Sequence, residues 1–344
     1  MDFEEKRLET WLRKTLPDLR GAMRLERIGG GQSNPTYFVV FDNREMVLRK
    51  QPAATLLPSA HAIDREYRVM QALAASALPV PKLILYHQDR DLLGTPFYLM
   101  ERLQGRVFPD ARLPGMAPAE RRAIYMAMAQ TMACLHQVDW ERIGLSDYGR
   151  QGGYFSRQIA RWSKQWEMSK SAENHDIDRL MPWLRKHLPD ESETTLSHGD
   201  FRLGNLMFHP TEPRVIAVLD WELSTLGHPL ADVAFNCMAW RTLASEYGGI
   251  RGLDLQALGI PSELEYLQHY YQLSGRRDGV TAFHFAFALF RMAVIFQGIA
   301  ARAASGNAVG DNAAEVGALA LAFARRAVEF VDGDVQVHGM EATV

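Results

Sequence analysis

Cysteine is nearly missing from this chain. Its 344 residues include two, Cys134 and Cys237, far apart. They make no paired metal spacing and no disulfide framework, so they read as buried thiols of a reducing compartment. An excess of one charge is missing too. Lys and Arg number 38 and Asp and Glu 41, for a formal net charge of −3. That balance argues against the broad basic footprint of a nucleic-acid binder. Also lacking is a long apolar run free of charge. The most apolar stretch, FHFAFALFRMAVIFQGIA at 283–300, has Arg291 in its middle. A membrane span takes about 20 apolar residues without a central charge, so the stretch reads as a buried helix of a soluble domain. The opening MDFEEKRLETWLRKTL is charged and amphipathic, unlike a signal peptide. These absences predict a cytoplasmic protein with no nucleic-acid or membrane partner.

What is present is ordinary globular composition, 47% hydrophobic and 23% charged, in a chain long enough for one large domain or two lobes. After a helix near 3–17, three short stretches carry β-branched and aromatic residues: MRLERI, TYFVVFD and EMVLRKQ. Asp42 and Asn43 supply a turn, and an antiparallel meander is predicted. Ile63, Tyr67, Met70 and Leu73 recur at helical spacing until Pro79 and Pro81. VPKLILYHQ and PFYLMERL resume strand character. From about Pro118 the chain turns helical, interrupted by LSHGDFRLGNLMF and RVIAVLDW. The reading is α+β: a β-rich N-lobe over residues 1–103 and a larger, mostly helical C-lobe over 104–344.

Several stretches carry chemistry. GGGQSN, comprising Gly29, Gly30, Gly31, Gln32, Ser33 and Asn34, joins two strands. Glycines there let backbone N–H groups approach an anion. A strand follows, so this is neither the Walker pattern nor the dinucleotide fingerprint, and an NAD-binding enzyme fails on the meander. In MVLRK, Arg49 and Lys50 fall on opposite faces of the strand. One of them must point to the side where a nucleotide would lie, with Glu66 of the next helix as its partner. In HGDFRLGN, Asp200 and Asn205 stand around a turn, and VIAVLDW delivers Asp220 at the end of an apolar strand. Two hard oxygen ligands for Mg²⁺, a free carboxylate base, a phosphate-binding cation and a Gly-rich lid make up a phosphoryl-transfer set.

The pattern His198-Gly199-Asp200 to Asn205, then Leu219-Asp220-Trp221-Glu222, resembles the aminoglycoside phosphotransferase and choline kinase-like branch of the protein kinase fold. The resemblance runs from about residue 25 to 330. It implies a bilobal kinase-like fold with ATP between the lobes. It implies Asp200 as catalytic base, Asn205 and Asp220 on Mg²⁺, and Arg49 as the phosphate-binding cation with Glu66 beside it. Lys50 stays open as the alternative. The segment Met100, Glu101, Arg102 and Leu103 looks like the hinge that hydrogen-bonds adenine through its backbone. VLRKQP, AHAIDREYRVMQAL and LDWELSTLGHPLADVAF resemble the kinase-like region of some acyl-CoA dehydrogenases. That likeness implies a small-molecule acceptor with a hydroxyl group, including a hydroxyacyl thioester. Aminoglycosides and a pseudokinase-type interaction module are the alternatives; acids after residue 222 do not cluster as a polycation would require.

Of the remaining residues, Arg202 is expected either at the transferred phosphoryl group or in a local salt bridge. Glu222 is expected either to assist or simply to continue the loop. His198 is expected to be buried and bonded to backbone, and Asp232 to anchor the catalytic turn. Trp162, Trp166, Trp183 and Trp240 are expected mostly in the core, and Arg291 in a structural salt bridge.

Overall fold

The structure, a computed structural model, describes residues 3–29, 34–52, 62–171, 173–304 and 313–337. Of the predicted site, Gly30, Gly31, Gln32 and Ser33 lie outside the described residues. The chain forms two compact units. The first is Met1–Gly105 with Ile216–Glu222, and the second is Arg106–Val215 with Leu223–Val344.

The first unit begins with helix α1 (Glu5–Thr15). Strands β1 (Arg24–Arg27), β2 (Thr36–Phe41) and β3 (Arg44–Lys50) follow, then helix α2 (Ile63–Leu73) and strands β4 (Leu83–His87) and β5 (Phe97–Glu101). The five strands form one antiparallel sheet in the order β1-β2-β3-β5-β4. Period-two patterning explains its two faces. Tyr37, Val39 and Phe41 of β2 are buried, and between them Thr36, Phe38 and Val40 are half-buried. The buried side joins Met46, Leu48, Phe97 and Leu99 with Leu8 and Leu12 of α1 in one core. The predicted meander is therefore present, and β5 and β4 extend it.

In the second unit come strand β6 (Arg106–Val107), helices α3 (Pro118–His136), α4 (Tyr154–Ser169) and α5 (His175–Lys186), then strands β7 (Thr195–Ser197) and β8 (Leu206–Phe208). Strand β9 (Val215–Val218) carries the chain into residues 216–222, and strand β10 (Thr225–Gly227) returns it. Helices α6 (Pro229–Arg241), α7 (Leu255–Leu258), α8 (Glu263–Ser274), α9 (Ala282–Ala304) and α10 (Ala313–Val331) complete it. Local chemistry fixes the helix starts. Pro229 occupies the first turn of α6, with the His228 side chain accepting from Leu230 N. Ser262 and Glu265 form a reciprocal capping box on α8.

α9 is the predicted apolar helix. Most of its side chains are core, including Phe285, Phe287, Leu289 and Phe290. It is long and apolar enough to cross a membrane by length and composition, but most of it is buried inside the protein. Arg291, expected in a salt bridge, is not in one. Among the described residues no carboxylate lies in ion-pair range of it. Its Nη2 donates to Gly199 O at 2.7 Å, and Trp162 and Phe235 present their rings to it. A carbonyl and two π-faces take the place of a counter-ion. Trp166 and Trp240 are buried as expected, whereas Trp162 and Trp183 are only half-buried.

Candidate active site

The predicted residues gather in two groups, one in each unit. In the first unit, β3 sets Arg49 and Lys50 on opposite faces. Arg49 Nε donates to Glu66 Oε2 of α2 at 2.9 Å, and Arg49 Nη2 donates to Asp220 Oδ1 at 2.5 Å. Glu222 lies 3.9 Å from the same guanidinium. Lys50 is fully buried, with its ammonium 5.2 Å from the Phe3 ring. Of the two basic residues, only Arg49 meets both predicted carboxylates. Burial works against its charge, but Glu66, Tyr98, Asp220 and Glu222 outweigh that cost and hold Arg49 firmly protonated.

Two further features shape this group. Asp220 has φ +63°, left-handed backbone that a non-glycine residue seldom takes. It sits just past β9, which Val218 N fastens to Pro79 O at 2.9 Å, while Trp221 Nε1 reaches back to Val218 O at 3.0 Å. Asn34, at the end of GGGQSN, donates through Nδ2 to Glu66 Oε2 at 3.4 Å. Sequence reasoning missed Tyr98, which is fully buried and hydrogen-bonded to Glu66. Burial, then Glu66, pushes the Tyr98 hydroxyl well above its ordinary range, so it remains a donor. The signal was the strand pairing that sets Tyr98 opposite Arg49.

In the segment predicted to be the hinge, two backbone N–H groups are already engaged. Glu101 N donates to Lys82 O at 2.9 Å and Arg102 N to Glu45 O at 3.4 Å. Met100 pairs with Val47 in the sheet. This leaves Leu103 N–H as the donor of that segment with no partner among the described residues. The Arg102 guanidinium lies 3.8 Å over the Phe38 ring and 3.5 Å from Glu45.

In the second unit, Asp200 follows Gly199 on a tight turn. Gly199 has φ +81°, and a Cβ there would fall 2.7 Å from Leu223 O, so only glycine fits. A short 3₁₀ turn, Leu203–Asn205, then points Asn205 back. Asn205 Nδ2 donates to Asp200 O at 2.8 Å and to Asp200 Oδ2 at 2.7 Å. Arg202 Nε lies 3.3 Å from Asp200 Oδ1, so the local ion pair forms. His198 is fully buried, and its Nδ1 accepts from Asp200 N at 3.2 Å, as expected of a structural histidine.

Asp232 of α6 anchors this turn as predicted. His198 N and Gly199 N donate to its two oxygens at 2.6 and 2.9 Å. His136 Nε2 stands 3.5 Å from Asp232, and His136 Nδ1 is 2.7 Å from Tyr270 OH. Burial alone would raise the Asp232 carboxyl. The hydrogen bond and charge of His136, with the His198 contacts, outweigh it and hold Asp232 below the usual range. Sequence reading missed His136 and Tyr270, because their roles depend on pairing α3 with α8.

Among the described residues, no group of three or more His, Cys, Asp or Glu is arranged to hold a metal. The donor chemistry still fits Mg²⁺, which keeps water and phosphate ligands and takes only one or two protein oxygens. Asn205 spends its Nδ2 on Asp200, which leaves its amide oxygen for a cation. Asp220 spends Oδ1 on Arg49 and keeps Oδ2.

The family model described as "Phosphotransferase enzyme family" matches residues 24–278. Acyl-CoA dehydrogenase family member 10 of Mus musculus is 44% identical over 335 residues, covering 96% of this chain and 31% of that protein. Family member 11 of Rattus norvegicus is 43% identical, covering 89% of this chain and 40% of that one. The chain thus spans about a third to two-fifths of these relatives. A candidate aminoglycoside phosphotransferase from Ralstonia eutropha JMP134 has a crystal structure 45% identical in sequence, with TM-score 0.87. The match covers 96% of this chain and 99% of that one. A thermostable aminoglycoside phosphotransferase crystallised with AMP-PNP and hygromycin B is 18% identical, with TM-score 0.61, over 93% of this chain and 98% of that one. At that identity it shows the fold alone, which is protein kinase-like.

Proposed function

Since the chain belongs to the phosphotransferase enzyme family, with an alcohol group as acceptor, we propose that it is an ATP- and Mg²⁺-dependent small-molecule kinase. It moves the γ-phosphoryl group of ATP onto a hydroxyl of a metabolite. The observation that carries this reading is Asp200, presented by a glycine turn and oriented at 2.7 Å by Asn205.

Asp200 Oδ accepts the proton as the acceptor oxygen forms its bond to the γ-phosphorus and the bond to the β-phosphate oxygen breaks. Asn205 and the Asp232-anchored backbone fix the direction of that carboxylate, so catalysis is largely positioning. Arg49, kept charged and aimed by Glu66, grips the α- and β-phosphates as a fork. Arg202, beside Asp200, stands where charge develops on the transferring group. The glycines of GGGQSN suit its sequence to phosphate binding through backbone N–H groups, and Leu103 N–H with the Glu101 carbonyl takes the adenine edge. Asn205 and Asp220 each offer an oxygen suited to Mg²⁺, which when bound would neutralise phosphate charge.

The full-length relatives bear the name acyl-CoA dehydrogenase, and a hydroxyacyl thioester fits that company better than a polycationic antibiotic. The test is ADP release with Mg·ATP across sugars, amino alcohols and hydroxyacyl thioesters. The expected result is release that depends on a hydroxyacyl thioester. No acceptor-dependent release, together with no thermal shift from millimolar Mg·ATP, would make the chain an interaction module instead.

A further inference from the structure

A cavity of about 100 Å³ lies within the second unit, against the catalytic turn. Arg202 and Leu203, the second and third residues after Asp200, form one side of it. Met128 of α3 and Phe235, Met238 and Trp240 of α6 form the apolar wall, and no Asp or Glu among the described residues lines it. Such a wall repels a polycation's ammonium groups, which would be desolvated there without a counter-charge. It suits hydrocarbon.

Two further observations bear on what the cavity could hold. Asn236 is one of its lining residues and is nearly fully buried. Its Nδ2 donates to Phe201 O at 3.0 Å, in the catalytic turn, but its Oδ1 has no partner. A buried acceptor left unpaired costs about 1–3 kcal/mol, and an occupant whose N–H or O–H reached it would offset that. At the rim stands Tyr247, half-exposed, with φ +66°. That conformation is strained for a bulky side chain, and such strain concentrates at ligand clamps. The turn that imposes it is built firmly. Gly249 approaches Thr242 O too closely for any Cβ, Glu246 Oε2 accepts from Leu243 N at 3.0 Å, and Arg326 of α10 grips both Glu246 oxygens at 2.9 Å. The Tyr247 ring rests on Phe296 of α9, with centroids 5.2 Å apart.

We propose that this cavity seats the hydrocarbon chain of the acceptor, with Tyr247 as an aromatic flap. The substrate class is then a neutral hydroxyalkyl compound with one hydrogen-bond donor for Asn236. This rests on the reading of the chain as a hydroxyl-directed kinase and adds to it the part of the acceptor that is recognised.

The test uses N-methyl hydroxyalkanamides from butanoyl to decanoyl as probes, titrated calorimetrically into the full chain with Mg·AMP-PNP, alongside ADP release with Mg·ATP. Affinity for the wild-type protein should rise about fourfold per methylene until the cavity is filled. Ala239→Phe, which projects a ring into the cavity, should flatten that dependence while leaving AMP-PNP affinity unchanged. Should that variant melt early, Ala111→Leu from the other wall serves the same comparison. Tyr247→Ala should weaken the longer probes about tenfold and the butanoyl probe little. Affinity independent of chain length, or an equal slope in the filled variants, overturns the proposal. ADP release without a chain-length slope removes the cavity and leaves the kinase. A slope without ADP release does the reverse.

Discussion

Arg49 and Lys50 are neighbours of the same charge, and the pleat of β3 separates their fates. Arg49 meets Glu66 and Asp220, while Lys50 is sealed against the core with Phe3. A phosphate-gripping fork is worth about 1.5–3 kcal/mol as charge-assisted hydrogen bonds. Arg49→Met should therefore weaken Mg·AMP-PNP binding about ten- to a hundredfold by titration. Lys50→Met should lower the melting temperature and leave nucleotide affinity nearly unchanged. The opposite pattern would move the phosphate contact to Lys50. The sequence brought these two positions forward through strand alternation, but choosing between them needed the register, since pairing with Tyr98 tells which face Glu66 occupies. Arg291 shows where single-residue reasoning stops. A charge in an apolar helix requires compensation, and a carbonyl with two rings stands where an ion pair was expected.

Among the elements, the loop at 196–205 depends on α6. Asp232 accepts two backbone N–H groups of the turn from its buried place, and Gly199 allows the chain to reverse under it. Removing that carboxylate leaves both donors and His136 unsatisfied. Asp232→Ala should cost roughly 3–5 kcal/mol in chemical denaturation. In whatever protein remains folded, kcat should fall while AMP-PNP affinity changes little. Unchanged stability would contradict the anchoring role. The turn was legible because HGD and Asn205 lie close in sequence, and Asp232 follows soon after. The His136–Tyr270 extension was not, because it joins helices over a hundred residues apart. Period-two alternation gave β2 and β3, and helical spacing gave α2, because their faces differ in burial. The short strands β7 and β10 pair with each other over three residues, too few for alternation to register.

For the molecule as a whole, the chain does not divide at one cut. Residues 216–222 belong with the first unit, and they bring Asp220 to Arg49. An apolar strand followed by Asp-Trp-Glu singles out the Asp220 carboxylate, but nothing local says which unit it joins. Global stability also carries a pH signature from the second unit. His284 is buried, and burial, followed by His228 when that ring is protonated and by the cationic Arg276, pushes its pKa from 6.5 down to about 3. The unfolded chain therefore binds a proton below about pH 6.5 that the folded chain refuses. Stability is full above that pH and falls as pH drops toward 3. At about 1.4 kcal/mol per pH unit the loss approaches about 5 kcal/mol. His284→Asn keeps an acceptor for Thr281 N and does not titrate. Its denaturation midpoints should be flatter between pH 6 and 4 than those of the wild type, and parallel curves would contradict the assignment.

The central claim is that Asp200 serves the chemistry and not the grip on nucleotide. Its most direct test is the Asp200→Asn variant, measured for ADP release at saturating Mg·ATP and acceptor and for AMP-PNP affinity by calorimetry. The account predicts a kcat lower by a few orders of magnitude with AMP-PNP affinity nearly intact. A kcat equal to that of the wild type would contradict it.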